Sequence, residues 1–177
     1  SVGDEAGAIK YAADNGAVIC QNSWGYDDID YLPQITKEAI DYFITYAGYD
    51  ESGNQTGPMA GGLVVFAAGN DNTNISYPAM YEKVLSVAAI APDYQKAYYS
   101  NYGNWVSISA PGGDAYYSMG QIYSTLTNGQ YGFKQGTSMA CPNVSGVAAL
   151  VVSHAGRPGF TSDDLKQILV DNASPVM

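Results

Sequence analysis

Apolar residues along the chain fall into two spacings, helical and continuous, and the two alternate. In residues 4–15, Ala8, Ile9, Ala12 and Ala13 recur at helical intervals and Asn15-Gly16 stops the run, which predicts a first helix. Ala17–Gln21 is a short apolar run and predicts a strand. Across residues 33–47, Pro33 suits a first turn, and Ile35, Ala39, Phe43 and Tyr46 line one face of a second helix. A polar, glycine-rich loop follows at 48–61. Gly62–Ala68, Lys83–Ala91 and the shorter Trp105–Ala110 are uninterrupted apolar runs, as expected for strands of a parallel sheet covered on both faces. Gln121–Leu126 and Gly129–Lys134 flank Asn128-Gly129 and predict a hairpin. Residues 138–155 are apolar nearly all round, which predicts a helix lying in the core. Thr161 caps a final amphipathic helix, Ser162–Val170, with apolar Leu165, Ile168 and Leu169. This alternation implies an α/β fold, a parallel sheet with helices on both faces, and it contains no internal repeat.

Composition narrows the classes of function. A length of 177 residues suits one ordinary domain. Seventeen acidic residues against seven basic ones leave a net charge of −10. A general nucleic-acid binder needs a basic stripe to displace phosphate counterions, so that class is excluded, as is docking on anionic lipid. No run reaches the length of apolar residues needed for a membrane-spanning helix. A hydrophobic content of 46%, with 16 tyrosines, opposes wholesale disorder. Abundant Tyr, Asn and Gly with few Lys lean toward a secreted or cell-surface protein. Cys20 and Cys141 each sit inside an apolar run and read as buried free thiols; with a single histidine, a zinc cluster is implausible. The first residues read as the middle of a helix, with neither an initiator Met nor a leader peptide, and the last lie just past another helix. The expectation is that residues 1–177 are a piece of something longer.

Candidate chemistry sits in three places. In Gly136-Thr137-Ser138-Met139-Ala140-Cys141-Pro142 a serine opens the long apolar helix directly after a glycine turn. Free N–H groups and the helix dipole favour negative charge there, which is where a nucleophile attacking a carbonyl wants its oxyanion. Pro142 is expected close to the first turn, where a missing N–H costs least. Taken alone, the segment fits a serine cap on a buried helix equally well. It is not a G-x-S-x-G nucleophile elbow, because Ala140 stands where the second glycine belongs. The second place is Val64-Val65-Phe66-Ala67-Ala68-Gly69-Asn70, a buried strand ending in small residues and an asparagine. Strand C-termini of parallel sheets are where ligands bind, and Asn70 offers a neutral donor; a turn asparagine is the plainer alternative. The third is Gln21-Asn22-Ser23-Trp24-Gly25, past another strand end, where Ser23–Gly25 can lie extended and pair with a second extended chain or simply turn into a loop.

Together the three segments resemble the subtilases, the subtilisin-like serine proteases. The matching stretches are QNSWG, VVFAAGN followed by YPAMYEKVLSVAA, then SAPGG, and GTSMACPNVSGVAALV, in the family's order and over essentially the whole chain. The resemblance implies a three-layer parallel-sheet subtilisin-like fold, truncated at its N-terminus. It implies that Ser138 is the nucleophile and Asn70 the side-chain oxyanion donor. Ser23, Trp24 and Gly25 would pair with a polypeptide substrate, Ala67, Ala68 and Gly69 would wall a specificity pocket, and Thr137 would join the substrate-binding set. Subtilases order their triad Asp, His, Ser. The D-[ST]-G and H-G-T-H segments of that pattern are not in this sequence, so the chain reads as the C-terminal part of a peptidase domain whose N-terminal part would supply both residues. The one histidine, His154, stands 16 residues past Ser138 on the same predicted helix, about 24 Å away at 1.5 Å per residue. Asn143 replaces the histidine that often follows the proline of the signature, an expected packing variation.

Two rival readings remain. An α/β-hydrolase esterase is disfavoured by GTSMA and by the strand-end asparagine, and a catalytically dead subtilase scaffold or binding module is decided by sequence upstream of Ser1. The resemblance also allows structural calcium, with Asp27, Asp28 and Asp30 as candidate ligands, although an acidic surface loop explains them more simply. Cut off from its N-terminal part, such a fragment is expected to be inactive and to associate with copies of itself.

Overall fold

A computed structural model describes residues 4–26 and 29–175. Its centre is a four-stranded parallel sheet in the order β1 (Ile19–Asn22), β2 (Leu63–Ala67), β3 (Leu85–Ile90), β4 (Ile108–Pro111). Side chains of β2 alternate between two cores. Leu63, Val65 and Ala67 face one cluster with Leu85, Val87, Ala140, Cys141, Val144, Ala148 and Leu165, whereas Val64 and Phe66 face another with Ile9, Ala39, Ile40 and Phe43. The first cluster is closed by α3 (Thr137–Ala155) and α4 (Ser162–Asp171), and the second by α1 (Glu5–Asp14) and α2 (Gln34–Tyr46). Every residue of β2 is buried, which is why that run carries no polar alternation. The result is the expected α/β three-layer arrangement with helices on both faces.

Local signals set the element ends. Asp4 accepts from the Gly7 N–H and caps α1. Thr161 and Asp164 exchange reciprocal bonds as a capping box at the start of α4. The hairpin forms as expected from Asn128-Gly129, β5 (Ile122–Thr125) pairing antiparallel with β6 (Tyr131–Lys134).

Three expectations need correction. Helix and strand do not alternate strictly: only the β1–β2 connection carries a helix, and the β2–β3 and β3–β4 connections are irregular. Trp105 and Val106 do not start β4. The Trp105 carbonyl accepts from Ser86 Oγ (2.7 Å) and its indole donates to Asn74 O (3.0 Å), so this residue anchors a turn and the strand begins at Ile108. Helix α3 is not buried all round. The sheet covers one side only, through Ala140, Val144, Ala148 and Val152, while Val147 is 51% and Leu150 71% exposed on the other. Of the two free cysteines, Cys141 is buried as expected and its thiol is pushed up to about 11 by burial, whereas Cys20 is only partly buried.

Candidate active site

The C-terminal ends of β1 and β2 and the N-terminus of α3 meet in one cleft lined by Ser23, Trp24, Gly25, Ala67, Gly69, Asn70, Thr137 and Ser138, with Tyr26, Asp71 and Ser76. The parallel sheet brings this about, since parallel strands all end on one side and the helix that packs along them begins there.

Ser138 is the second residue of α3 and half-buried, and its hydroxyl makes one long bond, donating to Ser23 O at 3.4 Å. The backbone amides around it are partitioned. The Thr137 N–H donates to Asn70 Oδ1 (2.8 Å), and the Met139 and Ala140 N–H groups both donate to Gly136 O. Among the described residues the Ser138 N–H has no acceptor. One free donor is therefore left at the positive end of the helix, beside the hydroxyl.

Asn70 is fixed by the same contacts. Thr137 Oγ1 accepts from the Gly69 N–H (3.1 Å) and donates to Asn70 Oδ1 (3.0 Å). A backbone N–H can only donate, so the atom facing Thr137 N must be the amide oxygen. The Asn70 NH₂ group therefore points away from Thr137, on an exposed side chain lining the cleft. Thr137 itself is fully buried. Its hydroxyl is taken up by Gly69 and Asn70, so within the cleft wall it holds Asn70 in place. Ala68 is likewise fully buried but lines none of the cleft, because its neighbours Ala67 and Gly69 take the alternate positions that do.

Pro142 is the sixth residue of α3, beyond the first turn. Its missing N–H would have bonded the Ser138 carbonyl. That carbonyl accepts instead from Ser23 Oγ at 3.1 Å, which ties the strand-end segment to the first turn of α3.

Several supporting residues carry no sequence signal. Asn101 is buried, its N–H donates to Gly69 O (3.0 Å), and its Oδ1 accepts from the Asp71 and Thr73 N–H groups (2.9 and 3.1 Å), shaping the loop after Asn70. The Tyr99 hydroxyl accepts from the Gly136 N–H (3.0 Å) and donates to Gly113 O (2.6 Å), and burial pushes it up to about 12. Asn22 accepts from the Trp24 indole (3.1 Å) and donates to Val65 O (3.3 Å) across the β1–β2 pair. Gly136, just before α3, has φ 146°, open to glycine. Gly69 has φ 99°, and a Cβ there would collide with Asn101 Nδ2. Gly69→Ala is expected to destabilise the fold by about 1–3 kcal/mol, read as a fall in urea midpoint at constant slope. An unchanged midpoint would show that this geometry is dispensable.

Among the described residues, Asp71 and Tyr26 are the ionisable side chains that line the cleft, and His154 lies exposed in the last turn of α3. Asp27 and Asp28 lie outside the described residues and Asp30 is exposed. Among the described residues no three His, Cys, Asp or Glu side chains gather to hold a metal ion.

Sequence and fold comparisons relate the chain to known proteins. The chain is 34% identical over 177 residues to the thermophilic serine proteinase of Bacillus sp. (strain AK1), a match covering 99% of this chain and 37% of that protein. It is 45% identical over 125 residues to the extracellular basic protease of Dichelobacter nodosus, covering 64% of this chain and 20% of that protein. A solved protease structure from Pseudoalteromonas arctica PAMC 21717 superposes with a TM-score of 0.78 at 31% identity, over 97% of this chain and 51% of that one. The chain thus spans well under half the length of these two curated relatives. The model that describes the subtilase family matches residues 1–176, so all four strands of the parallel sheet, the hairpin and the helix that carries Ser138 fall inside it, and the chain belongs to the subtilase family.

Proposed function

We propose that the full-length protein is a serine endopeptidase in which residues 1–177 supply the nucleophile, the oxyanion donors and one wall of the substrate cleft. The observation that carries this reading is a pair of donors without partners among the described residues, the Ser138 N–H and the Asn70 NH₂, on two residues that line one cleft. Ser138 Oγ attacks a peptide carbonyl, and the oxygen gains negative charge between those two donors, which need no reorganisation as it forms. A histidine oriented by an aspartate, both from a segment preceding Ser1, takes the hydroxyl proton and returns it to the leaving amine. Water then hydrolyses the acyl-enzyme by the same route. Ser23–Gly25 lies alongside the substrate backbone, and Ala67 and Gly69 wall the pocket for the residue before the cleaved bond. Secretion is part of this reading, supported by the composition and by the extracellular relative from Dichelobacter nodosus.

A serine hydroxyl is a weak nucleophile without a base. The full-length protein is therefore expected to cleave peptides and residues 1–177 alone to cleave none; serine-dependent cleavage by the isolated chain would mean that a base lies within it. The isolated chain is also expected to self-associate. Among the described residues strand β1 pairs on one side only, and Val147 and Leu150 add exposed apolar surface. The charge of −10 opposes contact, but screening at about 0.15 M salt confines repulsion to roughly 8 Å. Sedimentation across a concentration series tests this, and a strictly monomeric chain would show the edge to be protected.

A second reading, a subtilase fold kept as a scaffold or binding module, draws on the absence of a histidine among the residues lining the cleft. An upstream sequence without D-[ST]-G and H-G-T-H decides for it.

A further inference from the structure

The seven basic side chains of this acidic protein are not equivalent. Lys10, Lys37 and Lys83 form ion pairs with Asp14 and Asp41. Lys96 donates to the Asn72 side chain and to the carbonyls of Ala97 and Ser100. Arg157 donates to Ala155 O, and Lys166 to Lys83 O. Lys134 alone has neither an ion pair nor a side-chain hydrogen bond among the described residues.

Its place gives that vacancy a use. Strand alternation puts Lys134 and Gly132 on one face of β6, opposite Ile122 and Ser124 of β5. Tyr131 and Phe133 take the other face, where both rings pack on Tyr123. The Lys134 face borders a groove of about 790 Å³ that runs up to Ser138 and Met139, with apolar lining from Ile122, Leu126 and Pro142. Among the described residues no acidic side chain lines this groove to compete for the ammonium. Asn70 and Ser23–Gly25 stand in the cleft on the other side of Ser138. If that cleft takes the acyl half of the substrate, this groove receives the residues that follow the cleaved bond.

We propose that Lys134 makes the groove beside Ser138 select an acidic side chain, Asp or Glu, within the first two residues on the leaving-group side. The inference rests on the peptide-cleavage reading above. The match is one of charge complementarity over an apolar lining that suits the methylenes of Glu. Lys134 is exposed, so the preference is modest, about two- to fivefold. The charge of −10 on residues 1–177 repels every acidic peptide, so the informative quantity is a ratio between substrates compared across Lys134 variants.

The test incubates the full-length protein with a degenerate peptide pool and reads the newly formed N-termini by mass spectrometry. Asp and Glu are expected to be enriched about two- to fivefold over Asn and Gln at the first or second position after the cut. Lys134→Gln should abolish the enrichment, Lys134→Glu should turn it toward Lys and Arg, and Lys134→Arg should keep it. A cut pool with no charge preference, or one whose preference survives Lys134→Gln and Lys134→Glu, overturns the assignment and leaves the cleavage reading standing. A pool left uncut removes the cleavage reading, and this one with it.

Discussion

In the full-length protein, Ser138→Ala is expected to lower kcat/KM for peptide cleavage by on the order of 10⁴-fold or more. The size of the effect follows from what the hydroxyl does in the proposed mechanism. It forms the covalent bond, and a methyl group cannot, so any residue of activity would come from binding and oxyanion stabilisation of a water-mediated attack. Folding should be nearly unaffected. The Oγ gives up a single hydrogen bond at 3.4 Å, and its side chain is half-buried at the mouth of the cleft. A stability change within about 0.5 kcal/mol is expected, measured by denaturant titration of both proteins. The two readouts together separate chemistry from folding. A loss of only a few-fold with an intact fold would show that another group carries the reaction, and would favour a binding role for the chain.

Asn70 is expected to give the next largest effect, a fall in kcat of about 10²–10³ with KM little changed. The oxyanion exists only after attack, so its donors act on turnover and not on ground-state binding. Asn70→Ala alone is ambiguous. It strips the acceptor from both the N–H and the hydroxyl of the buried Thr137, and each orphaned donor costs about 1–3 kcal/mol. Asn70→Asp resolves this. It keeps an oxygen toward Thr137 and replaces the cleft-facing NH₂ with an oxygen that repels the developing charge. Both variants should lose turnover, but only the alanine variant should lose much stability. A change confined to KM would refute the oxyanion role. Equal stability in the two variants would show that the contacts with Thr137 do not hold Asn70 in place.

The split between what local sequence decides and what packing decides runs through single residues. The start of α4 was legible because its cap is reciprocal within four residues, Thr161 to Asp164. The hairpin was legible because Asn128-Gly129 carries the turn geometry by itself, with Asn128 at φ 58° and Gly129 at 69°. The strands of the sheet read as unbroken apolar runs because both faces of β2 are buried. Ser138 stood out because it follows a glycine turn at the start of a long apolar helix, and Asn70 because it follows small residues at the end of a buried strand. The outer face of α3 was misjudged for the converse reason: Val147 and Leu150 are apolar, and only the position of the sheet shows that nothing described covers them. The family signature added what spacing could not, the proposed roles of Ser23–Gly25 and of the small-residue wall.

By itself, then, the amino-acid order determined a parallel α/β scaffold with a serine at a helix start and an asparagine at a strand end, because those features depend on neighbours a few residues apart. Tertiary structure decided which donors remain free. Thr137, expected to meet substrate, is buried and holds Asn70 across a separation of 67 positions. The Ser138 carbonyl, freed by Pro142, is satisfied by Ser23, 115 positions away. Tyr99 fixes Gly136 from 37 positions away, and Asn101 fixes the loop after Asn70 from about 30. Hydrogen-bond partners at such distances leave no periodicity in the sequence, since any residue type that can donate or accept will serve once the sheet and α3 have brought it within about 3 Å. Only the folded chain therefore settles that, at the start of α3, the one backbone donor without a partner among the described residues is the N–H of Ser138.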